Sequence, residues 1–283
     1  MKAQVANNMM SSFLAFLDNK VLSKGEAFTN HSSQLYKVSQ AVHGSYQIWG
    51  APFKQMVCDA SITGATKFTG ININGAGPYG AGTSGISFFQ HHQGQVFFDD
   101  SSVPAGMTTV SGSYAIKDFN TYLTSEPEEE LLFTTKFELR PKTTQTVTGL
   151  SLESKTYPAI FIKDNGGRNE PFAFGGLDNT IMEVRAIILA DSAFNLDAVC
   201  SIMKDCNTAK VALMEHSDFP FNAFGACTGS YNYETLAASK TDSFFIEGVS
   251  ISKTVPNRAD YDNMNPGVFS AFADFELSNV RTT

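Results

Sequence analysis

The amino-acid sequence predicts a mainly β protein of the α+β class, with antiparallel, sandwich-like sheets, a strand–helix–strand element near 180–214 and a short N-terminal helix. Three observations predict it. From Tyr46 to about Val110, short apolar runs alternate with Gly, Asn and Ser. Residues 131–140 and 267–280 alternate apolar and polar side chains with the period of two that a half-buried strand requires. By contrast, Leu196, Val199, Cys200 and Met203 repeat at the helical spacing i, i+3, i+4, i+7.

Taken in order, the elements follow from local patterns. Ser11 or Ser12 can cap a helix over 11–22 that brings Phe13, Leu14, Leu17 and Val21 to one face. Isolated helices under ~12–15 residues are marginal in water, so this one must dock. It can dock on its own body as an ordinary packing helix, or these four residues can pack on a neighbouring copy, with polar Lys24–Ser33 as a tether; the second is the expectation for assembly. Residues 1–45 then form an arm and 46–283 a β-rich body, with a soft internal boundary near the Thr- and Ser-rich stretch 141–156. Strands are expected at 54–62, 67–73, 85–90 and 95–99, with turns at Asn74-Gly75 and Gln93-Gly94, where glycine permits positive φ.

Residues 131–140 give the cleanest alternation, with Leu131, Phe133, Thr135, Phe137 and Leu139 on one face. Tyr157–Lys163 and Phe244–Ser252 are weaker strands. Residues 180–190 read as a strand, Asp191 or Ser192 as a cap, 194–206 as a helix and 210–214 as a strand. In 267–280, Phe269, Ala271, Ala273, Phe275 and Leu277 face inward, with Asp274 and Glu276 outward. The polar stretches 164–176 and 256–267 read as loops and contact surfaces.

With 283 residues, 42% of them hydrophobic, the chain can bury a large core. A net charge of −8 and a pI near 5.1 argue against a broad basic face, and so against sequence-specific nucleic-acid binding driven by phosphate neutralisation. No run approaches the ~18 apolar residues of a membrane-spanning helix. The apolar stretch Phe13–Leu17 is too short for a secretion signal, so the expectation is assembly in the cytoplasm with no signal peptide. Cys58, Cys200, Cys206 and Cys227 form no CxxC pair and read as reduced, buried thiols.

Motifs with chemical meaning are sparse. GxGxxG occurs twice, as Gly75, Gly77 and Gly80 and as Gly80, Gly82 and Gly85. A dinucleotide fingerprint leads into a helix whose N-terminus meets the pyrophosphate. Here Pro78 interrupts the first copy and a hairpin-like ISFFQHHQGQVFF follows, so a glycine-rich loop is the better account. Adjacent His91 and His92 would point to opposite faces of a strand and are poorly placed to share a metal. His31, His43 and His216 are scattered. Glu126, Glu128, Glu129 and Glu130 read as a solvated turn. Asp260 and Asp262 begin a calcium-loop-like string, but Met264 takes a ligand position. Asn30–Ser32 matches a glycosylation sequon. No catalytic, cofactor-binding or metal-binding residue is nominated.

Seven phrases together resemble a family of virion structural proteins of tailed marine bacteriophages. They are MSSFLAFLDNKVLSKGEAFTN, YQIWGAPFKQMVCDASITGA, GTSGISFFQHHQGQVFF, YAIKDFNTYLT, LLFTTKFELRPK, NEPFAFGGLDNTIMEVRAIILADSAFNLDAVCSIMKDC and DFPFNAFG. The resemblance implies a non-enzymatic part of the neck or tail at the head–tail junction, such as a ring-forming connector or tail terminator. It implies copies of itself and other neck and tail proteins as partners, no cofactor, and a place in the virion. The alternative is a carbohydrate- or receptor-binding β-sandwich using Tyr231, Tyr233 and Glu234, or Tyr261 with Asp260 and Asp262; a single Trp weighs against it. A third reading, an enzyme, rests on the glycine strings and the scattered His and Cys.

Overall fold

A computed structural model describes residues 4–38, 45–134, 138–139, 156–173, 177–220, 229–253 and 268–281. The elements in chain order are α1 (Val5–Gly25), β1 (Phe28–Lys37), β2 (Tyr46–Gly50), β3 (Ile71–Ile73), β4 (Ala76–Tyr79), β5 (Ile86–Gln90), β6 (Gln95–Asp99), β7 (Val110–Lys117) and β8 (Asn120–Leu123). A π-helical turn (Glu130–Thr134), β9 (Glu138–Leu139), β10 (Thr156–Tyr157), β11 (Ala159–Ala173), β12 (Leu177–Ala190), α2 (Ala193–Lys204) and β13 (Lys210–Ala212) follow. A 3-10 turn (His216–Asp218), α3 (Tyr233–Ser239), β14 (Ser243–Lys253) and β15 (Phe269–Arg281) complete the series. The protein is mainly β. No helix among the described residues is long and apolar enough to cross a membrane.

Two larger sheets organise the chain. One has seven strands in the order β4-β3-β7-β1-β2-β6-β5, and the other six in the order β13-β14-β15-β12-β11-β8. Pairing is antiparallel within both except between β8 and β11; the small β9–β10 pair is also parallel. The seven-stranded sheet curls around its own core, since Leu35, Ile71, Phe98, Val110 and Tyr114 from well-separated strands meet in one cluster. The six-stranded sheet presents Val184, Ala186 and Ile188 of β12 and Ala271, Ala273, Phe275 and Leu277 of β15 to a second core. Helices α1 and α2 cover that face with Phe13, Leu17, Leu196, Val199 and Met203. Only Asp118 and Phe119 separate β7 in one sheet from β8 in the other.

Much of the expected pattern is present. The strand–helix–strand element is β12, α2 and β13, and Ser192 caps α2 by accepting from the Asn195 amide at 3.2 Å. β15 turns Ala271, Ala273, Phe275 and Leu277 inward, although Phe269 lies exposed at its start. β5 and β6 fall where 85–90 and 95–99 were expected.

Other expectations are corrected. Residues 131–134 form the end of a helical turn, not a strand; Pro127 and three following glutamates suit a helix start, and the Leu131 amide donates to the Pro127 carbonyl at 3.2 Å. The stretch 54–62 makes isolated bridges at Met56 and Asp59 instead of a continuous strand. It is nonetheless buried, because its amides are satisfied singly: Gln55 N donates to His92 O and Val57 N to Ala115 O. Of 67–73, only 71–73 pairs. The expected loop at 164–176 is, through 173, the continuation of β11 in a long hairpin with β12. The polar segment after the first helix, read as a tether, is mostly β1, the central strand of its sheet. The stretches 140–155 and 254–267, with Asp260, Tyr261 and Asp262, lie outside the described residues.

Candidate assembly surface

The four residues expected to meet a neighbour have partners within the chain itself. Phe13, Leu17 and Val21 are fully buried, and Leu14 packs against the same core. Phe13 meets Phe275 edge-on at 4.9 Å. The reason is the length and composition of α1. It runs 21 residues, and Met9, Phe16 and Leu22 are buried as well. A helix apolar on most sides belongs in a core. The apolar face that was assigned to a second copy is therefore closed by the six-stranded sheet, α2 and their neighbours.

The other nominated residues are also engaged structurally. Asn74 and Gly75 both take positive φ in the turn joining β3 to β4. The glycine string then runs into β5, so no helix N-terminus faces it. Gly85 has a specific packing reason: at φ +76°, a Cβ there would lie 2.2 Å from the Ser102 carbonyl oxygen. His91 is buried against Phe68 and Phe89, whereas His92 faces Gln55 and Tyr122. His31 stacks on Phe53. Asn30, the sequon residue, donates to Gly64 O and accepts from Thr66 N. Cys58, Cys200 and Cys206 are buried; Cys227 and His43 lie outside the described residues. Tyr233, nominated for sugar binding, is buried, and its amide donates to Asp59.

A buried polar clamp, not visible as a motif, joins α1 to the point where the chain changes sheets. Asp18 accepts both Lys117 Nζ contacts, at 2.7 and 2.8 Å, and Thr121 Oγ1 at 2.7 Å. Their side chains are 7% and 11% exposed for Asp18 and Lys117, so this is an interior ion pair. A second clamp centres on Asp59, which accepts from Asn19 Nδ2, from the Ser61 amide and hydroxyl, and from the Tyr233 amide.

His92 lies in the field of the first clamp. Burial first, then the charges of Lys117 and Lys54, lower its pKa from 6.5 to about 4. In the neutral ring, Nδ1 accepts from Gln55 Nε2 at 2.9 Å. The unfolded chain thus binds this proton more readily than the folded one. The stability held by a neutral His92 is complete above pH about 6.5 and is lost as pH falls towards 4. Part of the residue reaches solvent, so about 3 kcal/mol is an upper bound for the loss. His92→Asn keeps an acceptor near Gln55 without a titrating group. Urea midpoints at neutral pH and near pH 4 are expected to differ less in the variant than in the wild type; equal differences would rule out His92 as the source.

The outer face of the six-stranded sheet carries charge across its middle. Arg185 on β12 holds Asp274 on β15 through two contacts, at 2.6 and 3.0 Å, and Glu128 at 2.8 Å, with Phe272 beneath its guanidinium. The glutamate cluster thus supplies an ion-pair partner as well as a turn. Arg168 reaches Glu170, Glu183 and Glu276.

Large apolar side chains are exposed at both ends of this same sheet. At the hairpin end, Phe172 is 60%, Phe245 49% and Val280 37% exposed. Phe245 pairs in register with Ser278, two residues from Val280, and alternation puts Phe245 and Val280 on the outer face. At the opposite end, Phe269 pairs with Ala190, and Phe194 in the first turn of α2 is 82% exposed. Phe269 and Val280 are eleven positions apart on β15, about 37 Å at ~3.4 Å per residue.

No protein-family model matches this chain, and no curated protein matches it significantly.

Proposed function

We propose that the chain is a non-catalytic structural subunit that joins copies of itself head to tail. The setting is the one the phage resemblance implies: a ring in the neck or tail of a virion, as connector or tail terminator, beside other neck and tail proteins. The observation that carries the reading is the placement of exposed aromatic side chains at two opposite ends of one sheet. Head-to-tail contacts need two different surfaces on each subunit, and they close into a ring when the rotation allows. An isologous dimer needs only one. The interior supports the same reading, because Asp18, Lys117 and Asp59 are engaged in holding the frame.

Light scattering with end-specific variants tests it. The wild type is expected to form a closed oligomer. Phe172→Ser with Phe245→Ser removes one end, and Phe194→Ser with Phe269→Ser removes the other; each double variant is expected to be monomeric. Mixed together, the two are expected to stop at a dimer, since each retains one complementary end. A wild type that stays monomeric at its highest soluble concentration overturns self-assembly. If only one of the two double variants loses assembly and the other still oligomerises, the head-to-tail geometry is overturned.

A further inference from the structure

The six-stranded sheet is incomplete at both margins. β8 pairs with β11 only along Ala159–Ile162, whereas β11 runs on to Ala173. At the other margin β13 meets β14 along Ser243–Phe245, whereas β14 runs on to Lys253. Among the described residues, no strand lies outside β11 beyond Ile162 or outside β14 beyond Ile246.

The open stretches can be followed one main-chain group at a time. The Ile162 carbonyl accepts from the Thr124 amide at 3.0 Å, so it faces away from β12. In an antiparallel pair every second row turns its main-chain groups outward. Counted along β12 from Ala186, opposite Ile162, the next outward rows are Asp164 at Val184, Gly167 at Met182 and Asn169 at Thr180. Pro171 at Asp178 follows, and a proline, with no N–H to give, fits an outward site. On β14, the Ile246 amide donates to Ala209 O and its carbonyl accepts from the Thr208 amide, so Ile246 faces away from β15. The outward rows after it are Val249, Ile251 and Lys253, opposite Phe275, Ala273 and Ala271. Among the described residues, none of these outward amides has a main-chain acceptor. Such a row is a template for another strand. Each edge also carries a bulge, at Asp164/Gly167 and at Ile246/Gly248, which limits pairing with an unrelated flat strand.

The two edges suit each other. Every step from β11 through β12 and β15 to β14 is antiparallel, so β11 and β14 run in opposite directions. A second copy set beside the first in the same orientation therefore lays its β14 antiparallel to the first copy's β11. The gap on β11 lies towards the hairpin end, and the gap on β14 lies towards the Phe269 end. Sliding the second copy along the strands brings the two gaps together. β8 of one copy and β13 of the other then sit at opposite ends of the joint and do not collide. The same slide sets the hairpin end of one copy level with the Phe269 end of the next.

We propose that copies of this chain join by edge pairing, β11 of one along Lys163–Glu170 to β14 of the next along Glu247–Lys253, so that the six-stranded sheet continues from subunit to subunit. This rests on the head-to-tail reading and gives it a main-chain contact.

Inter-subunit disulfide trapping and hydrogen exchange on the full chain test it. Arg168 and Glu170 on β11, and Ser250 and Ser252 on β14, are exposed. Arg168→Cys or Glu170→Cys is combined in one chain with Ser250→Cys or Ser252→Cys. After mild oxidation, at least one combination is expected to give a ladder of covalent multimers on a non-reducing gel, and the single changes none. In the wild type, the amides of Val249, Ile251 and Lys253 are expected to exchange about tenfold more slowly in the oligomer than in the dilute monomer, the scale of one net hydrogen bond. In a chain that oligomerises, no ladder from any combination, or unchanged exchange at those amides, overturns edge pairing and leaves the head-to-tail reading standing. Covalent dimers from a β11 change alone would mean a two-fold β11–β11 joint and overturn it too. A chain that stays monomeric overturns both.

Discussion

Asp18→Ala is expected to destabilise the protein by about 3–5 kcal/mol, the cost of leaving one member of a buried ion pair without its partner. The ammonium of Lys117 is held by both carboxylate oxygens of Asp18, with both side chains nearly excluded from solvent. Alanine removes the carboxylate counter-charge from that buried ammonium; it also takes the acceptor from Thr121. Lys117→Met is expected to cost a similar amount by stranding the carboxylate. The double change Asp18→Leu with Lys117→Met removes both charges and is expected to recover most of the loss. Urea unfolding of the wild type, Asp18→Leu, Lys117→Met and the double variant gives the cycle. Single variants within about 1 kcal/mol of the wild type would mean the pair behaves as a surface contact and does not clamp the helix.

Phe13→Ala is expected to cost about 3–5 kcal/mol through lost burial and the cavity left behind. Phe13 is fully buried on α1 and meets Phe275 of β15 edge-on. The same measurement separates two roles for the first helix. A helix that docked only on a neighbour would leave the unfolding of a dilute monomer unchanged by this substitution. A helix that completes the second core lowers the monomer's midpoint, and Phe13→Leu lowers it less. Unfolding at the lowest workable concentration decides; a Phe13→Ala midpoint equal to that of the wild type would return α1 to the role of an intermolecular arm.

The elements legible in the sequence are those whose period matches how they are buried. α2 shows a helical stripe because one face meets the sheet, and β15 alternates because one face meets the helices. Residues 131–134 mislead because alternation there competes with Pro127 and the run Glu128, Glu129 and Glu130, a helix-start signal that was present and was given too little weight. β1 is hard to read for a different reason. Its side chains are mostly polar, and only Leu35 is buried, yet it sits mid-sheet through main-chain pairing with β2 and β7. Side-chain bonds such as Ser33 with Tyr114 and Ser113 with Ser32 accompany that pairing. Nothing in strand propensity marks such a segment. The Asp18–Lys117 clamp spans 99 residues of sequence and was equally hidden, because each member looks like an ordinary surface charge until the fold brings them together.

The pairing of β12 with β15 runs without a break from Asp178 opposite Arg281 to Ala190 opposite Phe269. Antiparallel hydrogen bonds lie perpendicular to their strands. A tug applied along this pair, from the end bearing Phe194 and Phe269 to the end bearing Phe172 and Val280, therefore loads the whole ladder in shear, so that the bonds must yield together. The short pairing of β13 with β14, three residues at the sheet margin, can instead open like a zipper under a sideways pull. The molecule is thus mechanically anisotropic: stiff along the line joining its two apolar ends, and soft at one lateral seam.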